Sequence, residues 1–205
     1  NIHRYVIDAN RDPAGVSLYP GQNTTALCPT TDFDGRAIWR DGQAPSDDEV
    51  AARRHEFHAP YHAALAEQID RVRARHGVAI FYDCHSIRSD IPFLFDGELP
   101  HFNIGTDNGK TCDPAVEAAT VNVCDGAPNY DAVLNGRFRG GWSTRHYGDP
   151  DSAVHGIQME LAQRAYMDEA APWAYRADRA RSLRPVLKKI LTTLDRLARS
   201  GELTH

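Results

Sequence analysis

The chain has 205 residues, 41% of them hydrophobic and 25% charged, and carries a net charge of −5. That length suits one domain with a sizeable core, and the composition excludes a disordered or collagen-like chain. The acidic balance argues against nucleic acid as the main partner, because phosphate binding needs a basic surface. Lysine occurs only at Lys110, Lys188 and Lys189, so arginine supplies nearly all the positive charge. Arginine grips carboxylates in a bidentate way, which favours an acidic small molecule; GC-rich codon usage accounts for the same bias.

Cys28, Cys84, Cys112 and Cys124 show no C-x-x-C spacing, which disfavours a thiolate zinc cluster or a redox motif. They read as free thiols of a reducing cytoplasm, with a Cys112–Cys124 bridge as the alternative. No signal-peptide pattern is found, and no apolar run approaches the roughly 20 residues of a membrane span. A cytoplasmic protein without membrane contact is expected.

In chain order, residues 1–8 alternate towards a strand, and residues 12–45 form a long irregular segment rich in Gly, Pro, Asp and Thr. Loops of that length inside a domain are usually functional. Ser46-Asp47-Asp48-Glu49 is a capping box opening a helix. Val50, Phe57, Tyr61, Leu65, Ile69 and Val72 fall on its apolar face, Pro60 kinks or splits it, and Gly77 ends it. His58 and His62 stand at i, i+4, a spacing that can chelate zinc. With the acid at Glu56 the H-E-x-x-H order fails, and these histidines read as partly exposed helix residues.

Gly77-Val78-Ala79-Ile80-Phe81-Tyr82 reads as a strand buried on both faces, the kind found in parallel sheets. It exits into Asp83-Cys84-His85-Ser86, and open α/β sheets bind ligands at such carboxyl ends. His85 is a candidate metal ligand, with Asp83 on the same face; a histidine merely capping the strand end is the alternative. A loop follows over 87–111. Asp113-Pro114 caps a helix running to about Cys124, and 132–135 is a short strand leading into a glycine-rich loop with Arg137, Arg139, Arg145 and His146. Val154–Leu161 reads as a strand with Ile157, Met159 and Leu161 on one face and Gln158 and Glu160 on the other. Here Glu160 is either a functional carboxylate or a solvated residue of an edge strand. Leu183, Leu187, Ile190, Leu191, Leu194 and Leu197 mark a closing amphipathic helix over 178–199 whose stripe is core.

This alternation points to one α/β domain over 1–205, with a mixed, mainly parallel sheet flanked by helices. Asn10-Arg11, the Asp83–Arg88 segment and Glu160 sit at strand exits. A carboxylate, a histidine and several arginines at one sheet edge suit metal-assisted hydrolysis of an acidic substrate.

Asp8-Ala9-Asn10-Arg11, Leu18-Tyr19-Pro20-Gly21, Leu27-Cys28-Pro29-Thr30-Thr31, Asp83-Cys84-His85-Ser86-Ile87-Arg88, Leu94 to Pro100, Asn135-Gly136-Arg137-Phe138-Arg139-Gly140-Gly141, Thr144-Arg145-His146-Tyr147-Gly148 and Gln158 to Arg164 occur in unbroken order. Together they resemble the N-formylglutamate amidohydrolase family. The resemblance implies hydrolysis of N-formyl-L-glutamate to formate and glutamate, at the end of a bacterial route of histidine degradation. It also implies a fold related to zinc carboxypeptidases and aspartoacylases (phosphorylase/hydrolase-like), with one zinc ion. On that pattern His85 ligates zinc, Glu160 is general base and then acid, and Asp83 orients the ligand. Arg145 either polarises the formyl oxygen or grips a carboxylate. Asn10 and Arg11 hold the substrate carboxylate, with Arg88, Arg137, Arg139 and His146 as further candidates. Family members carry additional chain ahead of this start, including a Pro-His-Ser/Ala-Gly strand end expected to supply other ligands. The domain therefore reads as amino-terminally incomplete. The competing readings are another zinc N-acyl amino acid amidohydrolase, or an inactive binding domain.

Overall fold

The computed structural model describes residues 2–203. They form two compact units, one comprising the chain up to Gln68 with Ile91–Gly97, the other Ile69–Asp90 with the chain from Glu98 onward.

The first unit is mostly irregular through residue 45, as its composition predicts, around a small core of Ile7, Leu27 and Cys28 backed by Val50 and Phe57. Residues 2–8 form no strand, and Asn1 lies outside the described residues. Instead the Val6 N–H donates to the His3 carbonyl at 2.8 Å, closing a turn that lets Arg4 reach the buried Asp8 at 2.6 Å. Helix α1, Asp47–Arg53, starts at Ser46, whose Oγ accepts from the Glu49 N–H at 3.3 Å. A π-helical stretch, Arg54–His58, joins it to α2, Ala59–His76. The Ala59 N–H reaches back to the Arg54 carbonyl, so the interruption falls just ahead of Pro60, which has no N–H to donate. The extra residue in this turn rotates all that follows by about 100°. His58 and His62 are consequently buried rather than partly exposed, and Tyr61 points outward, 52% exposed. Gly77, at φ +79°, ends α2.

The second unit holds a four-stranded sheet in the order β1-β4-β2-β3, where β1 is Ala79–Ile87, β2 Phe102–Gly105, β3 Ala132–Leu134 and β4 Val154–Ala162. β1 pairs with β4 in parallel, β4 with β2 antiparallel and β2 with β3 in parallel, so the sheet is mixed with parallel pairing predominant. Two expectations are corrected. Among the described residues β1 borders only β4, so its middle is half-buried, and Asp83, Cys84 and His85 lie within the strand rather than beyond its exit. The long strand buried along its length, except at half-buried Leu161, is β4, enclosed by β1 and β2. β2 replaces part of the expected 87–111 loop; bounded by Pro100 and Gly105, it is too short to show a period, yet all four of its residues are buried.

Helix α3, Pro114–Asp125, is capped by the Asp113 carboxylate, which accepts from Ala115 N–H at 2.7 Å. Cys112 and Cys124 are free thiols within the core, each pushed up to about 12 by burial first and by neighbouring carboxylates second. Helix α4, Trp142–Tyr147, occupies what the composition presents as loop. The closing helix α5, Ala177–Ser200, buries Ala180, Leu183, Ile190 and Leu194. Leu191, one step off that stripe, is 50% exposed rather than core. No helix among the described residues is long and apolar enough to cross a membrane.

Candidate active site

The register of β1, β4 and β2 creates a polar grid on one sheet face. Asp83 stands opposite Gln158 and His85 opposite Glu160 across the parallel pair, while Glu160 and Gln158 face Asn103 and Gly105 across the antiparallel one. Residues two apart on a strand share a face, so His85, Glu160 and Asn103 form one row, and Asp83, Gln158 and Gly105 form the next. Glu160 is 7% exposed in the central strand, which excludes a solvated edge residue. Burying a carboxylate costs several kcal/mol, whereas an aliphatic side chain there would contribute about 1.5–3 kcal/mol. Stability alone favours an apolar residue at this position, so function is the better account of Glu160.

The 136–141 loop and α4 cover this grid. Glycines permit the close approach: a Cβ on Gly105 would stand 2.4 Å from the Gly140 nitrogen, and one on Gly156 would stand 2.7 Å from the Thr144 carbonyl oxygen. From α4 the Thr144 hydroxyl donates to Asp83 Oδ2 at 3.1 Å, and Asp83 Oδ1 lies 2.8 Å from His85 Nε2. The Gly141 N–H donates to Gln158 Oε1 at 2.6 Å, and Gln158 Nε2 donates to Glu160 Oε2 at 3.4 Å. Asn103, 1% exposed, donates through Nδ2 to the Pro100 and Glu160 carbonyls, and its buried Oδ1 has no hydrogen-bond partner among the described residues.

Arg145 projects from α4 with Nε donating to the Gly140 carbonyl at 2.9 Å and Nη1 3.3 Å from Asp107 Oδ1. The other predicted residues are placed differently. His146 is exposed and stacks on Trp142 at 4.2 Å. Arg137 lies over the Phe138 ring, and Arg139 is exposed with Nε 3.5 Å from the Gly136 carbonyl. Arg88 is half-buried just past β1. In the first unit, Arg11 binds Thr25 through its carbonyl and hydroxyl at 2.9 and 2.8 Å and the Asn10 carbonyl at 2.8 Å. The Asn10 N–H donates to Asp8. Arg11 and Asn10 are thus engaged in holding the segment around Asp8. Burial pushes the Asp8 carboxyl up, but Arg11, Arg4 and the Asn10 N–H together hold it below its usual range.

With respect to zinc, His85 backed by Asp83 has the histidine–carboxylate form of a zinc ligand and its orienting partner. Among the described residues, however, no group of three His, Cys, Asp or Glu side chains is assembled to hold a metal. An open catalytic zinc site takes three protein ligands. The residues present do not fit a catalytic zinc by themselves.

The family model for N-formylglutamate amidohydrolase matches residues 1–167. The chain belongs to that family. It is 51% identical over 191 residues to the N-formylglutamate deformylase of Pseudomonas aeruginosa, and 48% identical over 191 residues to that of Pseudomonas putida. Each alignment covers 93% of this chain and 71% of the relative. The fold is similar to that of the N-formylglutamate amidohydrolase of Ralstonia eutropha, with a TM-score of 0.76 at 23% identity over 97% of this chain and 74% of that one. A gene product of Agrobacterium tumefaciens matches with a TM-score of 0.65 at 17% identity, over 95% of this chain and 68% of its own.

Three residues of this candidate site escaped the sequence reading. Asn103 was hidden with β2 and Thr144 with α4. Gln158 was legible, since alternation already places it on the Glu160 face.

Proposed function

We propose that the chain is an amidohydrolase that converts N-formyl-L-glutamate and water into formate and L-glutamate. The adjacency of buried Glu160 to His85 on one sheet face carries this reading. The choice of substrate is supported by relatives of about half-identical sequence named N-formylglutamate deformylase. Glu160 takes a proton from water as its oxygen bonds to the formyl carbon. It then returns that proton to the nitrogen as the C–N bond breaks, a general base turned general acid. Arg145 meets the formyl oxygen or a substrate carboxylate, which would compete with Asp107 for its guanidinium. Arg137, Arg139 and Arg88 are the further cations available for the second carboxylate, and His146 is a lesser candidate beside them.

Zinc dependence belongs to the same reading. His85 would be the contact between this chain and the ion, and none of the proton transfers above is routed through it. The strand-borne histidine followed by serine, with a glutamate on a later strand, supports a zinc carboxypeptidase- and aspartoacylase-like arrangement. In the cell the reaction would close histidine degradation in the cytoplasm.

The test is formate release from N-formylglutamate, N-formylglutamine and N-formylleucine. The dianionic substrate should exceed both neutral-side-chain analogues in kcat/KM by at least about tenfold, roughly 1.4 kcal/mol. Equal efficiency on all three would exclude arginine-based selection of the side-chain carboxylate.

A further inference from the structure

Gln158 is 3% exposed on β4, two residues before Glu160 and on the same face. Its orientation is fixed by its neighbours. The Gly141 N–H can donate only to the amide oxygen, at 2.6 Å, so Nε2 is left to face the other way. There it donates to Glu160 Oε2 at 3.4 Å. Gly141 is also the N-cap of α4, and its carbonyl accepts from the Arg145 N–H at 3.1 Å. A continuous hydrogen-bonded path therefore links the helix that carries Arg145 to the carboxylate of Glu160.

We propose that Gln158 is a positioning residue for the hydrolysis, holding the Glu160 carboxylate in the orientation from which it takes the water proton and registering it to α4. This rests on the reading of Glu160 as general base. An aliphatic residue would fill a central-strand position at least as well, yet both polar ends of Gln158 are committed, one to the covering loop and one to Glu160. A donor bound to one carboxylate oxygen restricts rotation of the group and so aims the other. The 3.4 Å separation is long for an amide–carboxylate bond, as catalytic hydrogen bonds often are before substrate assembles the site.

The test is a double-mutant cycle in the full-length protein, with thermal melting recorded for every variant. Gln158→Met removes both hydrogen bonds. Gln158→Asn keeps a neutral amide but, one methylene shorter, cannot reach Gly141 and Glu160 at once, so it carries the cycle if the methionine variant is unfolded. Each should lower kcat roughly tenfold with KM changed less than about twofold. In a Glu160→Gln background neither should lower kcat further, because residues acting as a unit are not additive. An unchanged kcat in Gln158→Asn, or the same fold-loss in both backgrounds, overturns the proposal. Normal turnover in Glu160→Gln alone removes the general base itself, and the positioning role falls with it. A strongly impaired Glu160→Gln with additive Gln158 effects removes only the positioning role.

Discussion

His85 and Glu160 are register partners across the parallel pair of β1 and β4, one on a strand that among the described residues borders only β4 and one on a central strand of the sheet. Adjacent strands run about 4.8 Å apart, so the two side chains rise side by side from one face. Both are steadied from α4, His85 through Asp83 and Thr144, and Glu160 through Gln158 and Gly141. A short helix thus governs the orientation of a histidine and a carboxylate that the sheet alone brings together.

Replacing Glu160 by Gln preserves size and keeps an amide beside Gln158 but removes the ability to take a proton. Steady-state kinetics on metal-loaded, full-length protein should show kcat lowered by roughly 10²–10⁴-fold, with KM and metal content nearly unchanged. Loss of metal from this variant would identify Glu160 as a ligand. Normal turnover would require another base.

His85→Ala should abolish stoichiometric zinc, read by elemental analysis of the full-length protein, and activity with it. The buried helix pair is the contrasting case. His58 Nε2 lies 3.1 Å from the Arg11 carbonyl and His62 Nε2 lies 2.8 Å from the Ala9 carbonyl. Alanine at either position should cost about 1–3 kcal/mol in urea unfolding, the cost of a buried carbonyl left without its donor, with zinc retained. Unchanged zinc affinity in His85→Ala would rule out its role as a ligand.

Asp8 should make stability depend on acid pH. Its folded-state carboxyl lies below the usual range because Arg11, Arg4 and the Asn10 N–H outweigh the opposing effect of burial. A lowered folded pKa means that the unfolded chain binds protons first. The contribution is full above an ordinary Asp value of about 3.9 and is lost as pH falls through the lowered value. Asp8→Asn should therefore be less stable than the parent by about 1–3 kcal/mol at pH 7, and the gap should close below about pH 4. A gap in Tm that stays constant down to pH 2 would assign Asp8 no ionic role.

Periodicity and capping chemistry determined much of this protein locally. Ser46 and Asp113 start helices where their side chains can accept the first N–H groups, Gly77 stops one, and the 3.6-residue stripe from Leu183 to Leu194 marks α5. The ordered motifs from Asp8 to Arg164 were enough to identify the family, and alternation on β4 put Gln158 and Glu160 on one face. These signals are legible because each depends on residues within a turn or two of one another. What the tertiary structure alone decided lies between distant segments. The rank of β4 as the buried strand, the insertion of β2 beside it and the row of His85, Glu160 and Asn103 follow from strand pairing, which no local period encodes. The π-helical turn before Pro60 reversed the burial of His58, His62 and Tyr61, because one extra residue turns a helix face by about 100°. The covering helix α4 was unreadable for a related reason: six residues carry too little periodicity to declare a helix, and its place is set by contacts of Thr144 with Gly156 and Asp83 and of its N-cap Gly141 with Gln158 rather than by its own sequence.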